Sequence, residues 1–162
     1  METIAYEGPD GELLLNPTVE DIRTLFKFGP DYWQGGSGSA YVGWVRLRDP
    51  GYSALMDRPV LHIIVHEPFG VCLMYEVVSF RPGTSGVALM TCSSASGGDQ
   101  RVGHYLGGEL DSFPGESFVS ISAAERAIGG FLQTQTPSME VTWRPRRALA
   151  EGYGYAEVSP AP

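Results

Sequence analysis

The sequence predicts an α+β fold: a single domain with a mainly antiparallel, twisted β-sheet and two α-helices packed against it. Three observations carry this expectation. The chain has 162 residues, 43% of them apolar, which suits one domain with its own core. Its 21 glycines and 12 prolines cut it into many short elements. Between two segments of helical periodicity lie several short runs rich in β-branched and aromatic residues.

The elements follow in order. "TIAYE" (Thr3 to Glu7) reads as a short strand. "LNPTVEDIRTLFKFGP" reads as a helix. Asn16 or Thr18 can cap it, Pro17 suits its start, and Glu20 and Asp21 favour its positive end. Val19, Ile22, Leu25 and Phe26 share one face, and Gly29-Pro30 marks the stop. "DYWQGGSGSA" (Asp31 to Ala40) reads as a loop. Strands are then predicted over Tyr41–Arg48, Val60–His66, Val71–Phe80, Val87–Cys92 and Val102–Leu110, with short joints that favour an antiparallel meander. In "SISAAERAIGGFLQT", Ser122 and Glu125 match a capping box, and Ala124, Ala127, Ile128, Phe131 and Leu132 form an apolar stripe for a sheet to cover. Gly129 and Gly130 cost that helix about 1 kcal/mol each relative to alanine, a cost that close approach to the sheet would offset. "MEVTWR" alternates, with Met139, Val141 and Trp143 on one side, and closes the fold as a strand. The domain is expected over residues 1–147, with 148–162 a loosely held tail. No internal repeat is visible.

Charge narrows the function classes. The net charge is −8, from 19 acidic and 11 basic residues. Such a surface repels phosphate backbones, so direct nucleic-acid binding is not expected; a basic protein partner is. The N-terminus lacks a basic leader and the longest apolar run, "VCLMY", is too short to span a bilayer, so a cytoplasmic protein without membrane attachment is expected. Cys72 and Cys92 read as reduced core thiols, and no C-x-x-C exists for a zinc cage.

"RPVLHIIVHEPFGV" places His62, His66 and Glu67 as H-x-x-x-H-E, which evokes a helical zinc site. The segment is strand-like, bracketed by Pro59 and Pro68. On a strand His62 and His66 share a face but stand about 13 Å apart, too far for one metal. Leu61, Ile63 and Val65 would face the core. No metal and no cofactor is expected. "GGSGSA" lacks the preceding strand and following helix of a phosphate loop and reads as flexible. "RPGTSGV" and "SSASGGD" do not match a nucleophile elbow. The carboxylates Glu109 and Asp111 share a face only if the strand continues through them. No catalytic residues are assigned, and the chain is not expected to be an enzyme.

Two segments read instead as protein-binding surface. "HYLGGELDSFPGES" carries Glu109, Asp111 and Glu116 without a lysine or arginine, and offers Tyr105 and Phe113 as exposed anchors. "PDYWQ" offers Asp31, Tyr32 and Trp33 in the same way.

The run "GHYLGGELDSFPGESFVSISAAERAIGGFLQTQTPSMEVTWRP" resembles the C-terminal half of the Imm1 family of bacterial immunity proteins. An acidic loop, a capped helix, a polar turn with proline and a closing strand ending in tryptophan follow in order. Glu125, Ala127, Phe131, Leu132, Pro137, Val141 and Trp143 fall at the matching places, and "LNPTVEDIRTLF" is similar to the family's opening helix. The resemblance covers about residues 102–144 and 12–28. It implies a non-catalytic α+β domain that neutralises a cognate polymorphic toxin by stoichiometric binding, the toxin being a basic, nucleic-acid-targeting protein of the deaminase type. The alternative is a non-catalytic accessory module on the same fold, of the kind used in secondary metabolism, binding a small molecule or a protein, for which the glycine-rich loop and Trp33, Tyr41 and Trp44 are the motivating features. A hydrolase or transferase using His62 or His104 rests on residue identity alone.

Overall fold

The structure is a computed structural model that describes residues 1–55, 57–77, 86–93 and 100–146. The expected tail over 148–162 lies outside the described residues, as do residues 78–80 of the expected third long strand and most of the two serine–glycine segments.

The fold is α+β, with helices packed on a mainly antiparallel twisted sheet. Among the described residues there are ten strands: β1 (Glu2–Glu7), β2 (Leu13–Leu15), β3 (Ala40–Leu47), β4 (Tyr52–Ala54), β5 (Pro59–His66), β6 (Gly70–Val77), β7 (Val87–Cys92), β8 (Arg101–Leu106), β9 (Glu109–Pro114) and β10 (Thr142–Pro145). Eight of them form one sheet in the order β10-β7-β6-β5-β3-β1-β2, with β4 pairing to β3 beside β5. Strands β3, β5, β6 and β7 are the expected meander. Strands β8 and β9 form a separate two-stranded ribbon.

Alternation along the strands sorts side chains to two faces. On one face, Tyr6, Val42, Leu61, Ile63, Val65, Leu73 and Tyr75 form a core with the helices α1 (Val19–Leu25), α2 (Pro30–Trp33) and α3 (Ile121–Thr134). Ala124, Ala127, Ile128 and Phe131 are the buried stripe of α3, as expected from their spacing. On the other face Ile64, Cys72, Met74 and Met90 meet Val102, Leu106 and Phe113 of the ribbon and Phe118 beyond it. The molecule is therefore three layers deep over part of its width: helices, sheet, ribbon. Cys72 and Cys92 are free and buried, and burial pushes the Cys72 thiol up to about 12.

Several sequence expectations are corrected. The capping box belongs to α1, where the Thr18 hydroxyl accepts from the Asp21 amide and Asp21 accepts from the Thr18 amide at 2.8 Å. Helix α3 is capped by Ser120, whose Oγ accepts from the Ala123 amide; Ser122 lies inside the helix and accepts from Arg126. Helix α1 ends at Leu25, before Gly29-Pro30, and Pro30 starts the four-residue α2 rather than ending a helix. Proline suits a first helical turn because the amide it lacks would have no intrahelical acceptor. Gly129 and Gly130 approach α1 and a loop, not the sheet: added Cβ atoms would lie 3.1 Å from Val19 Cγ2 and 2.8 Å from Ser138 Oγ. Met139 is fully exposed, so of the three side chains expected on one side only Val141 and Trp143 pack against the core, and strand β10 begins at Thr142.

The largest correction concerns Val102–Leu110, read as one strand followed by an acidic loop. Gly107 and Gly108 both take positive φ, 58° and 87°, and fold the segment into the hairpin β8–β9. Two consecutive residues of that kind make the tight turn whose twist matches paired strands.

Candidate functional site

The site assembles where three turns meet. The first is the β1–β2 turn, Gly8 to Glu12. The second is the α2–β3 loop, Gln34 to Ser39, which contains the glycine-rich stretch. The third is the hairpin turn at Gly107-Gly108. The Ser37 amide donates to the Pro9 carbonyl at 2.8 Å, and the Gly107 amide donates to the Ser37 carbonyl at 3.0 Å. The glycine-rich loop, expected to be flexible, is thus fastened on both sides. Glycine is required at its centre: Gly38 has φ 75°, and a Cβ there would collide with the Tyr105 carbonyl oxygen.

These bonds bring the two predicted segments into one stretch of surface. Asp31 is exposed at the start of α2, Asp10 and Glu12 are exposed in the first turn, and Glu109 is exposed beside the third. Tyr32 is half-buried; its hydroxyl donates to Glu12 Oε1, and Tyr6 Oη lies 2.7 Å away, a chain of two tyrosines ending on a carboxylate. Burial is the main cause holding both phenols well above their ordinary range. No lysine or arginine occurs in residues 1–22, 28–45 or 102–125, so the edge is acidic without a cation from these segments.

Other predicted residues lie elsewhere. Trp33 is 2% exposed; it stacks on Phe26 at 5.5 Å, and its indole N–H donates to the Leu25 carbonyl. Phe113 is 0% exposed and sits in the core under the ribbon. Neither is the exposed anchor the sequence suggests. Large apolar area near a turn is ambiguous in sequence, and here the alternation of β9 sends Phe113 inward opposite Val102. Tyr105 is exposed as expected, at 59%, and its direct cross-strand partner Leu110, at 62%, is the second anchor, which sequence reasoning missed. Continued alternation past Gly108 would have revealed it. Glu116 is half-buried in the turn of 3₁₀-helix Gly115–Ser117, at the other end of β9, and is not brought together with Glu109.

Because β9 continues through them, Glu109 and Asp111 do share a face, the inner one. Asp111 lies directly opposite His104. His104, 1% exposed, is a centre the sequence did not reveal as such. Its Nε2 donates to the Gly38 carbonyl at 2.6 Å, and its Nδ1 lies 2.9 Å from Nδ1 of His66. With Nε2 carrying a proton, the neutral His104 Nδ1 accepts, and His66 Nδ1 donates. The pair ties the ribbon to both the sheet and the glycine-rich loop. Burial lowers the pKa of both rings; for His104 the Gly38 carbonyl and Asp111 oppose that shift, and His66 adds to it. The clue in sequence was the position of His104 between Val102 and Leu106, on the inward side of its strand.

His62 is separate. It shares a strand face with His66, as expected, but its Nε2 lies 3.4 Å from Glu76 Oε2. The hydrogen bond and charge of His62, with Arg146 at 3.9 Å, hold the Glu76 carboxyl below its usual range against the effect of burial. Among the described residues no group of three or more histidine, cysteine or acidic side chains is placed to hold a metal ion, and no helix is long and apolar enough to cross a membrane. No protein-family model, curated protein or solved structure matches this chain.

Proposed function

We propose that this chain is a non-catalytic immunity-type protein that binds and neutralises a basic, nucleic-acid-targeting toxin, of the deaminase kind that the Imm1 resemblance implies. The acidic edge of three turns is the surface we assign to that partner. The observation that carries this reading is the joining of two acidic, aromatic segments, distant in sequence, through Ser37 and Gly38. Charge of one sign at the rim speeds encounter with an oppositely charged partner and rejects others. Tyr105 and Leu110, side by side on the outer face of the hairpin, supply the apolar anchors that such a rim needs. His104 and Gly38 hold these anchors on a firm support, which lowers the ordering cost of association.

Co-expression with a toxin encoded beside its gene tests the function. The expected result is restored growth and co-purification at low salt. Growth arrest that persists overturns the immunity reading. The surface is tested by Asp10→Lys, Asp31→Lys and Glu109→Lys combined, with Tyr105→Ala separately. All four side chains are exposed, so the unfolding transition should hold while the complex forms more slowly or dissociates faster. Unchanged binding by both variants places the interface elsewhere.

A further inference from the structure

The sheet face that carries the ribbon is only partly covered by it. Beyond the ribbon, a pocket of about 310 Å³ opens over β3, β5 and β6, with Tyr41, Val60, His62 and Glu76 as its floor. Ala54 at the end of β4, Leu55, Asp57 and Arg58 form its wall. The walls are mostly apolar, and the volume lies at the lower end of the range for small-molecule sites, about 300–1,000 Å³.

The charged side chains around it are already engaged, Asp57 of its lining included. Glu7 Oε2 accepts from the Tyr41 and Tyr52 hydroxyls. Glu76 faces His62 and Arg146. Arg58 lies over the Trp44 ring at 5.6 Å and 3.7 Å from Glu2. Bringing an ion into this setting would cost desolvation without a counter-charge to offset it, so a neutral ligand fits. His62 turns Nε2 toward Glu76, and its side chain is 29% exposed, which leaves Nδ1 as the ring nitrogen open to a ligand. That nitrogen accepts when the ring is neutral and donates when it is protonated. A hydroxyl can answer either state. The Tyr41 and His62 rings, 6.3 Å apart and inclined at 55°, pack on each other and make an aromatic floor against which a flat group can lie.

We propose that this pocket is a binding site for a neutral aromatic ring bearing a hydroxyl, with the ring against Tyr41, Val60 and Leu55 and the hydroxyl on His62 Nδ1. The site is independent of the acidic edge, since none of its lining residues belongs to the three turns.

Phenol is the probe, with toluene as its counterpart lacking the hydroxyl. Titration followed by backbone and imidazole NMR signals should give saturable shifts at Val60, His62 and Leu55. Toluene should bind at least about tenfold more weakly, the effect of one lost hydrogen bond. Ala54→Trp, a change at an exposed position, should block the pocket and abolish the phenol shifts. Val60→Phe should do the same from the floor, so one variant suffices if the other fails to fold. His62→Phe should erase the preference for phenol over toluene. Absence of saturable shifts in the wild-type chain, or shifts that survive both blocking variants, overturns the site. Equal affinity for phenol and toluene overturns the role of the hydroxyl. Ala54→Trp should leave growth rescue by the acidic edge unchanged, which separates failure of this site from failure of the partner reading.

Discussion

At the scale of single residues, the His66–His104 contact sets a pH dependence with a definite sign. Both folded-state pKa values lie below the ordinary 6.5 because burial disfavours the cation. Above pH 6.5 both states of the chain are neutral at these rings. Below it the unfolded chain takes up protons that the folded chain resists, so stability falls as pH drops from 6.5 toward the lowered folded values. The first proton can sit on Nε2 of the half-exposed His66 and leave the Nδ1 contact intact. A second would set N–H against N–H and break it. Urea midpoints measured from pH 7.5 to 5.5 should therefore decline for the wild-type chain and decline less for His66→Gln combined with His104→Gln; parallel slopes would count against the pair. None of this was legible from "RPVLHIIVHEPFGV". The strand geometry correctly separated His62 from His66, but a cross-layer partner for His66 depends on how the ribbon docks, and no local pattern encodes that.

At the scale of elements, glycine and capping residues decide where each piece begins and what it touches. Ser120→Ala should cost about 1 kcal/mol by removing the α3 cap, whereas Ser122→Ala, inside the helix and exposed, should stay within about 0.5 kcal/mol. Thermal or urea unfolding of the two variants distinguishes them, and the reverse ranking would restore the capping box that the sequence suggested. The helix itself was legible because its apolar spacing is a global property of fourteen residues. Its first residue was not, because serines at 120 and 122 both offer a hydroxyl at a plausible distance. Gly38→Ala is the sharper test of the three-turn junction. It adds a Cβ against the Tyr105 carbonyl and forces a left-handed conformation on alanine, for which a loss of about 2–4 kcal/mol is expected. The same change should weaken partner binding beyond its effect on stability, because it moves Tyr105 and Glu109 relative to Asp31. A variant that keeps full stability and full binding would show that the loop is not fastened as described. The sequence read this stretch as free because its composition is that of a linker; what holds it is backbone hydrogen bonding, to which composition is blind.

At the scale of the whole molecule, the antiparallel sheet with helices on one face was legible from strand spacing and two periodic segments. The third layer was not. A two-stranded ribbon that packs by side chains leaves no trace in sequence beyond alternation, and here the double glycine at its turn was read as part of a continuing strand. Among the described residues the ribbon shares no strand ladder with the main sheet; Val102, Leu106, Phe113 and the histidine pair seat it on the sheet, its turn bonds to the glycine-rich loop through Gly107 and Ser37, and Glu116 just past β9 accepts from Ser93 after β7. Such a layer can detach without tearing the sheet. Hydrogen exchange should show the amides of β8 and β9 opening together at lower free energy than those of β5 and β6, and protection equal to the central strands would mean that the layers unfold as one. The arrangement also divides labour along the polypeptide. Positions 101, 105, 110 and 112 point away from the body, while their neighbours one step along keep the ribbon seated. The outward set can therefore be rewritten by mutation while the chassis is inherited unaltered.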